Sequence, residues 1–472
     1  PRVASADLEA LKAFYGERDD NPLWIAGDGL TQNAKTLIAT IGDADDWGLD
    51  ADAYAVPAAN KVLTTDEERA DAEAALSAAV LKYARHAQNG RLTPSKAHKL
   101  FDFSPKARDP KAVLIEIAES KTPDEALLAL HPQHQQYQSL HTALVQARAS
   151  AKDIGRNPDD DRMVQLIVIN MERWRWLPSD LGNFHVWNNI PEFNFRVVKG
   201  GREIYKAITI VGQTKYATAF FSAPMRNIVF NPNWTVPPTI VKEDIAPKLK
   251  GPQRSGGFFG GRESRNRMLR RYGLTVSRGG KPVDADAVNW QTANVHSYTF
   301  QQDPGPHNVL GQFKFNFPNK HAIYMHDTTQ KELFGRQVRT LSHGCIRVHQ
   351  PAQFAAVLLA EDKGWSMGSV QDVLARSQGQ TKVISLRRKI PVHLTYNTLV
   401  ADGFGSVREF GDVYGIDNQM AAKLFKNPAY FNVPFSGAEF AETTPNRRYS
   451  EPRRRRGGAT TVDDFLSGIL GN

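Results

Sequence analysis

The chain has 472 residues, of which 41% are hydrophobic and 23% are charged. This length favours two or three domains over a single core, and the composition excludes a wholly disordered chain. No run of about 18 apolar residues occurs, so the sequence predicts no transmembrane helix.

The chain is basic, with 59 Lys and Arg residues against 50 Asp and Glu residues. Six of the arginines lie in a tail at residues 447–456. Such a tail is either solvated or makes a peripheral contact with an anionic membrane or polymer. Nucleic acid is not an expected partner, because the sequence lacks zinc-finger spacing, a recognisable helix-turn-helix and a basic strand interleaved with aromatic residues.

The single cysteine, Cys345, excludes an internal disulfide and any metal site built from several cysteines. A lone thiol is either a buried, inert side chain or a reactive group. The cysteine count does not separate these two possibilities. The residues that surround Cys345 in the sequence have to decide between them.

Residues 1–160 are predicted to be mostly helical. Apolar residues recur there at helical spacing, as in Leu8, Leu11 and Phe14. Thr122 precedes a proline and two carboxylates, which is a favourable helix start. No catalytic group is recognised in this region. Its three clustered histidines are interpreted as surface or helix-end residues: His131, His134 and His141.

Residues 163–176 continue as a helix, which we interpret as a connector to the next domain. From Phe184 onward the apolar period changes to that of strands, and Lys199-Gly200-Gly201 predicts a hairpin turn. Further strands are predicted at residues 227–230, 313–317 and 322–326. Between residues 245 and 290 a glycine-rich segment and several arginines interrupt the pattern, which is typical of a lid, a binding loop or a disordered insert.

The predicted fold class is α+β, with a β-rich, sandwich-like domain after a mostly helical one. We place the helical domain at residues 1–160 and the β-rich domain at residues 161–400, with an insert at about residues 245–290. Residues 401–472 are predicted to be a C-terminal extension that ends in the flexible basic tail.

The densest chemical signal lies between Tyr324 and Arg347. A thiol attacks a carbonyl only as a thiolate, so it needs a base nearby and N–H groups that receive the developing oxyanion. His326 ends an apolar strand 19 residues before Cys345. Gly344 permits a tight turn in which its own N–H and that of Cys345 converge on an oxyanion. The spacing alone is weak, because a chain with 13 histidines offers many such pairs.

The run Ser342-His343-Gly344-Cys345-Ile346-Arg347, with a histidine upstream, resembles the signature of the L,D-transpeptidase family. Three further blocks fit the same family, at residues 231–238, 302–311 and 314–319. Together they are similar to the large periplasmic branch, which has a helical scaffold before the catalytic domain and a capping subdomain over the site. The chain departs from the family at Thr218-Ala219, where Thr-Pro is usual.

The resemblance implies that Cys345 is the acyl-accepting thiol and that His326 is the base that deprotonates it. The carbonyl of Asp327 then steers the imidazole, and the N–H groups of Gly344 and Cys345 form the oxyanion hole. His343 is a supporting group. No metal or organic cofactor is expected. The residues expected to bind the substrate are Tyr324, Arg347, Asp327, Ser342 and Trp234.

The resemblance further implies a cysteine-dependent acyltransferase of the bacterial periplasm or cell envelope, whose signal peptide is removed upstream of Pro1. Its expected role is peptidoglycan biosynthesis, and through it cell wall organisation and cell shape. The donor is a peptidoglycan tetrapeptide stem, from which D-Ala leaves as a thioester forms on Cys345. An amine of a neighbouring stem then attacks the thioester to form a 3-3 cross-link. Carbapenems are expected to acylate the same thiol.

Three other functions stay open at this point. Water as the acceptor makes the protein an L,D-carboxypeptidase, and an amine of an outer-membrane or other envelope protein makes it an anchoring enzyme. A non-catalytic wall-binding scaffold uses the basic insert and the basic tail instead. Muropeptide analysis separates transpeptidation from hydrolysis, because 3-3 dimers indicate the former and tripeptides alone indicate the latter.

Overall fold

The computed structural model of the protein describes residues 3–250 and 265–431. They form two compact units. The first contains the described residues up to Leu181 together with residues 396–431, and the second contains those from Gly182 to Thr395. The predicted basic tail and the glycine-rich centre of the predicted insert lie outside the described residues. Among the helices of the described ranges, none is long and apolar enough to cross a membrane.

The helices of the described residues are α1 Ser5–Gly16, α2 Gln32–Gly42, α3 Asp66–Asn89, α4 Pro94–Ala97, α5 Pro110–Glu119, α6 Pro123–Leu128, α7 Gln135–Asp153, α8 Arg162–Arg175, α9 Pro238–Ile240, α10 Ala246–Lys250, α11 Arg265–Arg271, α12 Pro351–Lys363, α13 Met367–Arg376 and α14 Ile416–Leu424. A π-helical turn at Val241–Ile245 joins α9 to α10. The strands are β1 Ile25–Ala26, β2 Gly29–Leu30, β3 Phe184–Asn189, β4 Asn194–Lys199, β5 Arg202–Gly212, β6 Phe221–Phe230, β7 Trp234–Thr235, β8 Leu274–Arg278, β9 Lys281–Pro282, β10 Thr299–Gln302, β11 Phe313–Asn316, β12 Met325–His326, β13 Thr340–Ser342, β14 Ile346–Val348, β15 Lys382–Thr395, β16 Leu399–Ala401 and β17 Val407–Glu409.

Local capping explains where several helices of the first unit begin. The Thr65 hydroxyl accepts from the Glu68 N–H at 3.1 Å and the Glu68 carboxylate accepts from the Thr65 N–H at 3.3 Å, which together start α3. Asp161 caps α8 by accepting from two backbone N–H groups. Thr122 precedes α6 without a side-chain hydrogen bond, so this start relies on Pro123 in the first turn.

Helix α8 is a core helix of the first unit, which corrects its interpretation as a connector. Every residue from Val164 to Arg175 is buried. The charged side chains of this segment have partners, since Arg173 pairs with Asp417 at 2.5 Å and Arg175 pairs with Glu172 at 3.4 Å. Such pairing is what allows charges to lie inside a core. An apolar period alone does not distinguish a core helix from a linking one.

The described residues after the second unit return to the first one. Asn170 of α8 accepts from the Thr398 N–H at 2.9 Å, and Arg162 donates to Glu409 of β17 at 3.1 Å. The limits of the compact units therefore fall after Leu181 and after residue 395. The limits predicted from the sequence, residues 160 and 400, differ from these. The local pattern of apolar residues does not report which segments of the chain pack together.

His131 is buried in the first unit, so of its two interpretations, a surface or a helix-end residue, the first is wrong; it lies three residues after the end of α6. Its ring stacks on Trp47 with 4.4 Å between the centroids. Its two ring nitrogens lie 3.1 Å from the Tyr83 hydroxyl and 2.9 Å from the Tyr137 hydroxyl. Burial holds the pKa of His131 well below its usual value. Because both nitrogens have partners, this imidazole is a structural link between helices.

The second unit is built on a nine-stranded sheet with the order β13-β5-β14-β12-β11-β6-β15-β3-β4. Strand β4 pairs with both β3 and β5, so the sheet closes on itself. The pairs β12–β14, β13–β5 and β15–β3 are parallel. The predicted turn at Lys199-Gly200-Gly201 joins β4 to β5. This closed sheet is the form that the predicted β-rich domain takes.

One face of this sheet packs on helix α12. The ring of Phe354 lies 4.4 Å from that of Phe315 on β11 and 4.5 Å from that of Phe195 on β4, between centroids. Met325 of β12 pairs with Phe315 and with Ile346 of β14, and all three are fully buried. Because side chains alternate along a strand, the residues flanking these three lie on the opposite face.

A smaller body within the second unit has its own sheet and core. We call its residues, 234–250 and 265–310, the cap. Its strand order is β7-β10-β8-β9, and its buried residues from Trp234 to Leu310 form one hydrophobic cluster. This cluster extends beyond the predicted insert on both sides. Tyr324 packs against the cluster, so the cap contacts the segment that carries His326.

Candidate active site

The strand register places five polar side chains on one face of the sheet. Lys314 of β11 is the partner of His326 of β12, and His326 is the partner of Arg347 of β14. Tyr324 and Cys345 each lie two residues before one of these partners, so they belong to the same face. The pairing continues at Tyr324, whose carbonyl accepts from the N–H after Cys345 at 3.0 Å. This polar face lies opposite the apolar face that packs on α12.

His326 is held as a neutral imidazole with Nε2 as its acceptor nitrogen. The residue is 4% exposed, and its Nδ1 donates to the Asp327 carbonyl at 2.5 Å. An imidazole that donates from Nδ1 carries its lone pair on Nε2. Burial, with the charge of Arg347 adding to it, lowers the pKa of His326 to about 3. The contact with the Asp327 carbonyl is the one that the resemblance implies.

Cys345 is half-buried and is surrounded by groups of the segment before β12. Its Sγ donates to the Ala322 carbonyl at 3.8 Å. The N–H and the hydroxyl of Tyr324 interact with the sulfur, and both favour the thiolate. Burial nevertheless raises the pKa of Cys345 above its usual value, against these hydrogen bonds and the positive charges of Lys314 and Arg347.

The resting nucleophile and base are therefore a neutral thiol and a neutral imidazole. The pKa of Cys345 is raised and that of His326 is lowered to about 3, so a proton does not pass from sulfur to nitrogen before reaction. The site differs in this respect from cysteine enzymes with a resting thiolate–imidazolium pair. The proton has to move while the bond from sulfur to carbon forms.

The turn before Cys345 is held by a buried hydroxyl. Gly344 has a φ of 104°, a conformation that favours glycine. Its carbonyl accepts from the Thr218 hydroxyl at 2.9 Å, and the same hydroxyl accepts from the Gly212 N–H at 2.9 Å. A Cβ on Gly212 would lie 2.1 Å from the Tyr216 carbonyl oxygen, so this position requires glycine. The Thr218 hydroxyl makes this link to Gly344. The link therefore does not depend on the proline that is usual in the family at the position of Ala219.

The two N–H groups predicted to form the oxyanion hole have different surroundings. The Gly344 N–H donates to the Ser342 hydroxyl at 3.2 Å. The Cys345 N–H donates to no acceptor within residues 3–250 and 265–431. The Ser342 hydroxyl donates to the Cys345 carbonyl at 2.6 Å, and Ser342 is 2% exposed. Ser342, predicted to contact substrate, therefore binds the loop that carries the thiol.

Tyr324 lies between the thiol, the imidazole and the cap. Its ring centroid is 5.6 Å from that of His326, and its hydroxyl interacts with the Cys345 thiol and with Trp234. Burial raises the pKa of Tyr324 well above its usual value, so its hydroxyl keeps its proton. Trp234 is 4% exposed and belongs to the core of the cap. Trp234 thus supports Tyr324, and its predicted contact with substrate stays a prediction.

Arg347 and Asp327 are buried beneath the site. Arg347 is 0% exposed and donates to the Gln330 side chain at 3.0 Å and to a backbone carbonyl at 3.4 Å. The Asp327 carboxylate accepts from the Gln312 N–H at 2.9 Å and pairs with Lys331. The sequence predicted that both residues contact substrate. In this geometry their side chains bind other protein groups, and their contact with substrate stays a prediction.

His343 faces the cap. Its ring stacks on Tyr216 with 4.1 Å between the centroids, and its Nε2 lies 3.7 Å from the carboxylate of Asp244 in the π-helical turn. The neighbouring Glu243 accepts from Lys215 at 2.6 Å and from the Tyr216 hydroxyl. Burial, with the charge of Arg347 adding to it, lowers the pKa of His343 to about 4. His343 is therefore neutral at pH 7 and connects the Cys345 loop to the cap.

Three residues at the site had no predicted role: Lys314, Thr218 and Asp244. The ammonium of Lys314 lies 4.2 Å from the centroid of the Tyr324 ring. The predicted strand at 313–317 indicated that Lys314 lies on the face opposite its apolar neighbours Phe313 and Phe315, because side chains alternate along a strand. Thr218 was noted only as part of the departure at Thr218-Ala219, and its role was not predictable because its partner Gly344 is 126 residues away.

Comparisons with known proteins agree with the motif. Residues 9–144 match the family model of a scaffold domain, and residues 183–383 match that of the L,D-transpeptidase catalytic domain. A curated protein of Haemophilus influenzae named "Putative L,D-transpeptidase" is 31% identical over 264 residues, which cover 55% of this chain. The chain spans 50% of the length of that relative.

These matches confirm the resemblance and the α+β fold class, with a helical region followed by a β-rich domain. All five polar residues of the sheet face, and the turn at Gly344, lie within the matched residues 183–383. Residues 183–383 of this chain are therefore similar to L,D-transpeptidase catalytic domains, and residues 9–144 are similar to a scaffold domain that precedes them in the chain.

Proposed function

We propose that the protein is a peptidoglycan L,D-transpeptidase of the bacterial cell envelope that works through a thioester on Cys345. The observation that carries the proposal is the arrangement of one sheet face. It combines a thiol, an imidazole oriented by the Asp327 carbonyl through Nδ1, and a tyrosine that hydrogen-bonds the sulfur. This set supplies a nucleophile, a base and a donor that stabilises negative charge on the nucleophile.

Acylation starts from the neutral pair. As Sγ of Cys345 attacks the carbonyl carbon of the third stem residue, its proton passes to Nε2 of His326. The N–H and hydroxyl of Tyr324 stabilise the negative charge on sulfur during this transfer. The Cys345 N–H, which has no acceptor among the described residues, donates to the oxyanion. The C–N bond then breaks, Nε2 returns the proton to the leaving nitrogen, and D-Ala departs.

Deacylation uses the same groups in reverse. The neutral amine of a second stem attacks the thioester carbonyl, and one of its protons passes to Nε2 of His326. The C–S bond breaks, and the sulfur of Cys345 takes up that proton. The new amide is a 3-3 cross-link, and the thiol and imidazole are neutral again. Each step moves one proton between sulfur, nitrogen and substrate, so no further reactant is needed.

The acceptor is a separate part of this proposal. Water in place of the amine gives a tripeptide, and an amine of an envelope protein gives a covalent anchor. The same thioester precedes all three outcomes. Muropeptide analysis of purified sacculi treated with the protein identifies the acceptor, because only transpeptidation between stems gives 3-3 dimers.

The first prediction concerns the thiol. Incubation with a carbapenem is expected to increase the intact mass of the protein by the mass of one drug molecule, because the β-lactam carbonyl is attacked as the stem carbonyl is. Cys345→Ser is expected to keep its original mass under the same conditions. Intact-protein mass spectrometry measures both. An unmodified wild-type protein, or equal labelling of the variant, contradicts a role for Cys345.

The second prediction concerns pH. The reactive form contains a neutral imidazole, which is present above the folded-state pKa of His326, about 3, and is lost only as the pH falls through that value. The second-order rate constant of carbapenem acylation is therefore expected to be nearly constant from about pH 5.5 to about pH 7.5. A time course of intact mass at several pH values measures it. A rate constant that falls with an inflection near the ordinary histidine pKa speaks against a buried neutral base.

A further inference from the structure

Lys314 is a half-buried cation beside the thiol of Cys345, and no acidic side chain in the described part of the chain compensates its charge. Other lysines around the site have carboxylate partners, since Lys331 pairs with Asp327 and Lys215 pairs with Glu243. Within residues 3–250 and 265–431, Lys314 forms no ion pair. Its ammonium lies 4.2 Å from the centroid of the Tyr324 ring, a cation–π contact.

A cation in this position is expected to have an anionic ligand. Removing an ammonium from water is costly unless it is paired, and a cation–π contact returns only part of that cost. In agreement, burial lowers the pKa of Lys314. A negative charge close to Lys314 in the complex would remove the penalty, because the attraction between unlike charges is stronger away from water.

The position of Lys314 identifies which part of a donor peptide comes close to it. Lys314 is the strand partner of His326 and lies on the same sheet face. It also interacts electrostatically with Cys345. When Sγ attacks a peptide carbonyl, the carboxylate carbon of the next residue is three bonds from the attacked carbon, at most about 3.7 Å away. If that residue is the last of the peptide, its α-carboxylate is the negative charge nearest to the reacting atoms.

We propose that Lys314 binds the α-carboxylate of the C-terminal amino acid that leaves during acylation. This inference rests on the proposed function, whose donor ends one residue after the cleaved bond, and it assigns the residue that recognises the free carboxylate of that donor. A longer donor places a neutral amide where the carboxylate belongs and leaves the ammonium of Lys314 unpaired in the complex. The enzyme then discriminates against longer donors because they leave the charge of Lys314 unpaired, more than because of their size.

The other role open to Lys314 is to stabilise the thiolate alone. That role would change the reactivity of Cys345 toward every electrophile by the same factor. A role in binding the carboxylate changes only reactions in which the donor carries one. The two roles are therefore separated by donors that differ at the C-terminal group and nowhere else.

The experiment compares two synthetic stem tetrapeptides, one with a free C-terminal carboxylate and one with a C-terminal amide. Release of D-Ala or D-alaninamide gives kcat/KM for each donor, for the wild type, Lys314→Met and Lys314→Arg. Lys314→Met is expected to lower kcat/KM about 10- to 100-fold more for the carboxylate donor than for the amide donor. Lys314→Arg keeps the charge and is expected to retain most of the preference of the wild type for the carboxylate.

Alkylation of Cys345 by uncharged iodoacetamide, followed across pH, reports on the thiol of each variant and on whether its site is folded. Equal losses on both donors, with a shift of the alkylation profile to higher pH, overturn the inference and assign Lys314 to the sulfur. A wild type that prefers neither donor overturns it as well. A wild type that releases neither D-Ala nor D-alaninamide, while its thiol still alkylates, instead contradicts the proposed function.

Discussion

Replacing His326 by glutamine is expected to lower the rate constant of Cys345 acylation by about 10²- to 10⁴-fold, the usual contribution of a general base. Glutamine keeps a hydrogen-bond donor for the Asp327 carbonyl but offers no nitrogen that accepts the thiol proton. The raised pKa of Cys345 makes this loss large, because little thiolate exists without a base at neutral pH. A time course of intact mass with a carbapenem measures the rate constant.

His296→Gln is the matched control for this experiment. His296 is an exposed histidine of the cap and has no role in the proposed mechanism. This variant is expected to acylate at the wild-type rate. If His326→Gln also acylates at that rate, the base lies elsewhere, and His343, which contacts Asp244 of the cap, becomes the residue to test. The rate constant of His343→Gln would then decide between the two imidazoles.

The second large effect is expected at Thr218, which has no direct part in the chemistry. Thr218→Val keeps the shape of the side chain but removes the hydroxyl that joins the Gly212 N–H to the Gly344 carbonyl. The loss of both bonds at a fully buried position is expected to lower the free energy of unfolding by about 2–5 kcal/mol. Urea denaturation of the whole protein measures the change.

The same substitution is expected to slow acylation in the protein that remains folded, because the Thr218 hydroxyl positions the turn that presents Cys345. Thr218→Ser is the control, since it keeps the hydroxyl and loses only a methyl group. Serine is expected to retain most of the stability and most of the acylation rate. If serine and valine behave alike, the methyl group is what matters at this position, and the proposed link between the hydroxyl and the turn fails.

The candidate catalytic residues could be named from the sequence because they are close together in it. His343, Gly344 and Cys345 form one run, and His326 precedes Cys345 by 19 residues at the end of a predicted strand. The glycine in this run indicated a turn with a positive φ, and Gly344 has a φ of 104°. Helical periodicity likewise predicted the helices of the first unit, since apolar spacing is a local property.

The surroundings of the predicted substrate contacts were less predictable. Arg347, Asp327 and Ser342 stay predicted substrate contacts, and all three are buried and bind protein groups. Polar type and proximity to a cysteine do not report burial. Burial depends on how strands and loops pack in three dimensions, which the local sequence does not report.

The amino-acid sequence by itself determined which sulfur and which imidazole are the candidates for catalysis, and that a helical region precedes a β-rich one. Only the tertiary structure decided what surrounds them. It placed Lys314 beside His326, Thr218 beneath Gly344 and Asp244 next to His343. The physical reason is that neighbours across strands and between the cap and the sheet are set by pairing over long sequence separations, which leave no periodic pattern in the local sequence.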